Sequence, residues 1–159
     1  MNGNMKWLVG ALAVAVASSL APRAGAVQYF YEVWKEVYVN DADDASDEEK
    51  EFAAKVDDRE TGRCFVCHVV GEKSRKLHNT YGIPLVELLD KKDFGLRQRR
   101  DDPEGSKEKV LEALKKVAAM HSVPDDEESP TFGELIAKGE LPGKTPENLD
   151  EIKKELEIE

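Results

Sequence analysis

Cysteine is scarce in this chain, and the two residues that it has lie three positions apart. The 159 residues contain only Cys64 and Cys67, so no framework of disulfide bonds can staple the fold. No run of residues alternates convincingly between apolar and polar side chains, so we expect no β-strands. Charged residues make up 35% and hydrophobic residues 40%, which is typical of one soluble domain with a modest core.

Long apolar runs are also scarce, and the longest lies at the N-terminus. The 15 residues 7–21 follow Lys6, and the small-x-small sequence Ala24-Gly25-Ala26 comes shortly after them, as in a signal peptide. A membrane span needs about 20 apolar residues, which is more than this run supplies. We therefore expect residues 1–26 to be a signal peptide, cleaved between Ala26 and Val27. The remaining domain, residues 27–159, would be periplasmic or secreted and would have no stable membrane span.

Positive charge is in deficit. The formal net charge is −10, and the predicted signal peptide contributes Lys6 and Arg23 but no acidic residue. Without those two positive charges, the mature chain is near −12. This charge argues against binding to nucleic acid or to anionic lipid. It suits docking to a basic partner protein, although solubility alone explains it equally well.

Against this background, the stretch Cys64-Phe65-Val66-Cys67-His68 stands out. Two thiols three positions apart, followed at once by an imidazole, form the C-x-x-C-H pattern of c-type haem attachment. The thiols of Cys64 and Cys67 would add across the two haem vinyl groups. His68 would then be held beneath the iron as its proximal ligand. The predicted export supports this assignment, because bacteria attach c-type haem outside the cytoplasm.

Three other uses of the same residues compete with haem. The two cysteines could form a small disulfide, in a haem-free secreted helical module. A thioredoxin-type redox pair belongs after a strand in a βαβ unit, and that pattern does not surround these cysteines. A closed zinc site needs four ligands, and the adjacent Cys67 and His68 have poor geometry for one. We therefore favour one covalent haem c, with the disulfide as its main competitor.

Hydrophobic periodicity predicts an all-α fold, in which short helices pack around the haem. Near the mature N-terminus, five residues share one face of a helix: Phe30, Val33, Trp34, Val37 and Tyr38. Two capping boxes predict further helix starts, at Ser46 with Glu49 and at Thr131 with Glu134.

Later segments contain further helices. We expect Ser106 to cap a long helix whose apolar face is formed by Val110, Leu114, Val117 and His121. A last helix is expected to start at Thr145-Pro146.

The segment that follows the motif, residues 69–79, is basic in an otherwise acidic chain. It contains Lys73, Arg75, Lys76 and His78. These residues could neutralise haem propionates or contact a partner, and they could equally belong to a simple exposed loop.

With these segments placed, the chain resembles a small monohaem cytochrome c. The resemblance rests on the exported, helical layout around Cys64-x-x-Cys67-His68. More narrowly, two stretches are similar to a set of small secreted bacterial cytochrome-like proteins, residues 79–89 and residues 129–135. The resemblance implies an electron carrier rather than an enzyme, with a proximal histidine and often a distal methionine. The chain departs from the family in the 37 residues 27–63, because two helices precede the motif where the family has one.

The sixth iron ligand has three candidates. Met120 is the single methionine outside the predicted signal peptide, and the resemblance favours it. Helical spacing favours His121. His78 could bind only if its loop passed around the haem edge. We rank Met120 first and His121 second, ahead of an open position.

The choice of sixth ligand decides the chemistry. A thioether ligand raises the reduction potential relative to a second imidazole, and either ligand leaves electron transfer as the natural task. An open position would allow a small gas or peroxide to bind. The protein would then be a gas-binding or gas-sensing haem protein, or a haem subunit of a larger oxidoreductase.

Overall fold

The computed structural model describes residues 25–158, which form short helices joined by loops. The α-helices of this region are α1 (Gly25–Tyr38), α2 (Asp47–Asp57), α3 (Gly82–Leu88), α4 (Leu96–Asp101), α5 (Pro103–Ala118), α6 (Phe132–Ala137) and α7 (Leu149–Glu155). Two 3₁₀ turns add Arg63–Val66 and Lys91–Phe94. Extended pairing within the described residues is confined to two isolated antiparallel bridges, His68 with His78 and His121 with Thr131. The predicted all-α class is confirmed for this part of the chain.

Helix α5 is the centre of the fold. It packs against α1, α3, α4 and α6. Its buried face is formed by residues at i, i+3, i+4 and i+7: Val110, Ala113, Leu114 and Val117. That spacing places the four side chains on one side of a helix, so a single apolar face joins the surrounding helices into one core.

The aromatic face of α1 is narrower than its sequence predicts. Val33 and Trp34 are buried, whereas Val37 is 43% exposed. The ring of Phe30 meets that of Phe94 edge-on, with the centroids 4.8 Å apart, an arrangement that aromatic quadrupoles favour. This helix therefore contributes to the core through the middle of its predicted face and through Phe30.

Both predicted capping boxes are present. Ser46 with Glu49 begins α2, and Thr131 with Glu134 begins α6. In each case the hydroxyl accepts from the backbone N–H of the glutamate, whose carboxylate accepts from the capping residue's own N–H.

The predicted start of α5 at Ser106 is wrong. Asp102 is the cap, and its Oδ1 accepts from the N–H of Gly105 at 2.9 Å. Pro103 then occupies the first helical position, where its missing N–H costs nothing. Ser106 lies one turn further on and is buried. The last helix also starts later than expected, at Leu149 rather than at Thr145-Pro146.

Most of the predicted signal peptide, residues 1–24, lies outside the described residues. The predicted cleavage point between Ala26 and Val27 falls in the first turn of α1. Among residues 25–158, none of the helices combines the length and the apolar character that crossing a bilayer requires.

Candidate haem-attachment site

The Cys64–His68 segment forms a tight turn that follows α2. The backbone N–H of Phe65 donates to the carbonyl of Gly62 at 2.8 Å, and that of His68 donates to Cys64 at 3.0 Å. Arg63 has a φ of 48°, and its Nε donates to the carbonyl of Asp57, the last residue of α2, at 2.9 Å. These bonds connect the start of the motif to the end of a helix.

The two thiols differ in their surroundings. Cys64 is exposed and Cys67 is partly buried, and both are free cysteines in the structure. Burial raises the pKa of the Cys67 thiol to about 12, with a smaller contribution from neighbouring Cys64. Cys67 is therefore a neutral thiol near pH 7, while Cys64 is open to a reactant arriving from solvent.

His68 is held in one tautomer. Its side chain is only 7% exposed, and its Nδ1 lies 3.2 Å from the carbonyl oxygen of Leu77. A carbonyl can only accept, so Nδ1 carries the hydrogen and Nε2 keeps its lone pair. Burial also lowers the pKa of His68, which favours the neutral ring. A neutral imidazole whose other nitrogen donates to a carbonyl is the form in which histidine binds metals.

His78 lies directly against His68. The two residues form an antiparallel bridge, and their ring centroids are 4.6 Å apart with a tilt of 32°. Residues directly opposite in an antiparallel pair project to the same side. The rings are in stacking contact, which leaves no room for a porphyrin between them. His78 is thus placed beside the candidate proximal ligand and not across a haem from it.

Positive charge surrounds this pair of histidines. Burial, together with smaller contributions from the nearby His68 and Lys91, lowers the pKa of His78 to about 4. Arg75 places its guanidinium carbon 4.8 Å from the ring centroid of Phe65, inside the motif. The basic segment, residues 69–79, is also closed at its base, because the N–H of Val69 donates to the carbonyl of Leu77 at 3.2 Å. The basic side chains of Arg75 and Lys91 therefore lie near the motif.

Asn79 is a site residue whose role the sequence analysis did not identify. It is 2% exposed, and its Nδ2 lies 2.9 Å, 3.1 Å and 3.3 Å from three carbonyl oxygens of the motif, those of Phe65, Val66 and His68. Its Oδ1 accepts from the N–H of Gly82 at 2.8 Å. An asparagine shortly after the motif was the available signal, but sequence spacing does not show which backbone groups an amide will meet.

A second buried polar contact lies behind the motif. The Nε1 of Trp34 donates to the hydroxyl of Tyr81 at 2.9 Å, and both side chains are almost fully buried. Burial raises the pKa of Tyr81, and the nearby Cys67 raises it further. The aromatic core of α1 is thereby joined to the residue that precedes α3 and lies next to the second thiol.

Met120 and His121 lie beyond the end of α5. This helix stops at Ala118, so the prediction that His121 continues its apolar face is wrong. Met120 is 40% exposed, and its carbonyl accepts from the N–H of Phe132 at 3.0 Å. His121 is exposed, and its Nδ1 lies 2.6 Å from the carbonyl oxygen of Ser129. Both candidate distal ligands are therefore surface residues in the connection between α5 and α6.

The residues present suit a covalent haem c. The segment offers two free thiols and, next to the second, a neutral imidazole whose Nε2 keeps its lone pair. Within residues 25–158, no three His, Cys, Asp or Glu side chains lie close enough together to hold a metal ion by themselves.

No protein-family model, curated protein or solved structure matches this chain. The functional interpretation therefore depends on the chemistry of the site.

Proposed function

We propose that this protein is an exported monohaem c-type cytochrome that transfers electrons. The observation that carries the proposal is the bond from Nδ1 of His68 to the carbonyl of Leu77. It fixes the tautomer and direction of an imidazole that directly follows the second of two free cysteines. A disulfide between the two cysteines would not require a neighbouring histidine whose tautomer and direction are fixed in this way.

Each part of the site then has a defined task. Cys64 and Cys67 would hold the haem through thioether bonds, and His68 would supply a nitrogen ligand to the iron. Haem, when bound, supplies the one-electron Fe(III)/Fe(II) chemistry. The Leu77 carbonyl orients the histidine and increases its basicity. Arg75 and Lys91 lie close enough to act on the charge of His68, and they would offset the negative charge of haem propionates in a chain that is acidic overall.

Export and a redox partner are part of the same proposal. Residues 1–26 would direct the chain out of the cytoplasm, where haem c is attached. The partner would be a protein, and the acidic body of the chain suits a basic one.

One observation favours a second function. His78 lies on the same side as His68, while Met120 and His121 are exposed. An open sixth position on the iron is therefore the specific alternative to a bound sixth ligand. With an open position, the protein would be a gas-binding or gas-sensing haem protein, or the haem subunit of a larger oxidoreductase.

The test is an optical spectrum of the full chain expressed together with periplasmic haem-attachment machinery. We expect a haem spectrum that survives denaturation and acid extraction, because the link is covalent. The double variant Cys64→Ser/Cys67→Ser is the control and should lose haem on extraction. If the wild-type chain carries no covalent porphyrin, the proposal is wrong and a secreted CxxC module remains.

The ligand state separates the two haem functions. A ferric far-red band that Met120→Ala abolishes and His121→Ala leaves intact would identify Met120 as the sixth ligand and support electron transfer. A high-spin ferric spectrum, with ready uptake of carbon monoxide by the ferrous form, would support the gas-binding alternative.

A further inference from the structure

The Cys64–His68 turn leaves several of its own backbone acceptors without partners inside the turn. The internal bonds of the segment use the carbonyls of Gly62 and Cys64. The carbonyls of Phe65, Val66 and His68 converge instead on the side chain of Asn79. A buried carbonyl without a partner is costly, so the conformation of the turn depends on a donor at this point.

We infer that Asn79 is the positioning residue that holds the Cys64–His68 segment in the conformation that accepts haem. This inference rests on the proposed function. The amide nitrogen contacts carbonyls from the centre of the turn to the histidine. It therefore sets the direction of His68 relative to the two thiols. Its oxygen accepts from Gly82, which fixes the amide orientation and connects the turn to the start of α3.

The chemistry of the site selects asparagine. The three oxygens share the two hydrogens of Nδ2, and the N–H of Gly82 needs an acceptor, so a short carboxamide serves both ends. Aspartate would point a charged oxygen at three carbonyl oxygens. Leucine has nearly the same shape but can neither donate nor accept.

The amide is also enclosed from the opposite side. A Cβ placed on Gly143 would lie 2.0 Å from Nδ2 of Asn79, so only glycine allows the backbone to approach this closely. Two bonds between Thr80 and Lys144 hold that backbone in place, at 2.9 Å and 3.0 Å. Asn79 therefore has no free space into which it could withdraw from the turn.

The first part of the test uses haem-free protein. Amide hydrogen exchange is compared between the wild-type chain and Asn79→Leu. We expect exchange at Cys67 and His68 to accelerate on the order of tenfold or more, because the bonds that order the turn are lost. The amides of α5 should change far less. Val110→Ala is the matched control, because it opens a cavity in the core and should accelerate both regions alike.

The second part measures haem attachment. Asn79→Leu should yield little haem, or haem with one thioether, which the shifted α band of the pyridine haemochrome reveals. Val110→Ala should keep both thioethers at its own reduced stability. If Asn79→Leu does not fold, Gly143→Ala displaces the amide from the other side and should give the same two signatures.

The outcomes are distinguishable. Attachment of haem by both thioethers in Asn79→Leu, or acceleration of exchange no greater in residues 64–68 than in α5, overturns the inference while the proposed function stands. Failure of the wild-type chain to take up haem overturns the proposed function, and the exchange data then decide by themselves whether Asn79 orders the turn.

Discussion

Local helix propensity and tertiary packing predict opposite effects of the substitution Gly82→Ala on the free energy of unfolding. Gly82 is the first residue of α3. Alanine is the better helix former by about 1 kcal/mol, so the helix alone predicts stabilisation. The structure places the carbonyl oxygen of Cys67 2.0 Å from where a Cβ at position 82 would lie, and its carbonyl carbon 2.9 Å away. Both atoms belong to the backbone and cannot rotate out of the way.

Two unfavourable contributions and one favourable contribution determine the change in the free energy of unfolding. Overpacking a close contact costs about 1–3 kcal/mol. Moving α3 away from Cys67 also stretches the bond from the Gly82 N–H to Asn79 Oδ1, now 2.8 Å, and leaving a buried group unpaired costs about 1–3 kcal/mol. The propensity gain of about 1 kcal/mol offsets part of this sum. We therefore expect Gly82→Ala to lower the free energy of unfolding by about 3 kcal/mol.

The assay is urea unfolding of haem-free protein followed by far-ultraviolet circular dichroism, comparing midpoints at equal m-value. Gly105→Ala is the matched control. It also lies in the first turn of a helix, and a Cβ there would lie 2.2 Å from Oδ2 of Asp102. That atom is at the end of a flexible side chain, so the lost cap and the gained propensity, each about 1 kcal/mol, should nearly cancel. A Gly82→Ala chain as stable as the wild type would contradict the predicted clash with the Cys67 carbonyl.

Three further predictions concern the haem-free protein. Tyr81→Phe should lower the free energy of unfolding by about 1–3 kcal/mol, since the buried Nε1 of Trp34 loses its acceptor. An unchanged urea midpoint would contradict this prediction. Stability should fall as the pH is lowered from about 6.5 towards 4, because the pKa of His78 is about 4 when folded and the unfolded chain takes up the proton first. His78→Gln should flatten that part of the curve of unfolding free energy against pH, and an equal slope would refute the assignment. Iodoacetamide should alkylate Cys64 well before Cys67 near pH 7. Cys64 is exposed, whereas burial raises the pKa of Cys67 to about 12, and the thiolate is the nucleophile. Equal alkylation rates by peptide mass spectrometry would contradict this prediction.

Features that depend on neighbouring residues were predictable. The capping boxes at Ser46 and Thr131 form as expected, because each joins groups only three positions apart. The buried face of α5 at Val110, Leu114 and Val117 also follows from spacing alone. The all-α class rests on the same periodicity.

Two errors at the ends of α5 have local causes. Asp102 and Pro103 provide a stronger start than Ser106, because the carboxylate caps the helix and proline has no N–H to satisfy. At the other end, the backbone leaves the helix after Ala118 and pairs with the start of α6, through the bridge between His121 and Thr131. A periodic pattern does not show that this pairing is available to the chain.

The candidate site could be located without the fold, because the C-x-x-C-H pattern occupies only five adjacent residues. The acidic charge and the helical class could be predicted in the same way. Three contacts became visible only in the folded chain: Leu77 orients His68, His78 covers its ring, and Asn79 bonds to three carbonyls of the turn. These contacts join groups that are separated along the chain, and hydrogen bonds and ring stacking act only at distances of a few ångströms, which the folded backbone sets.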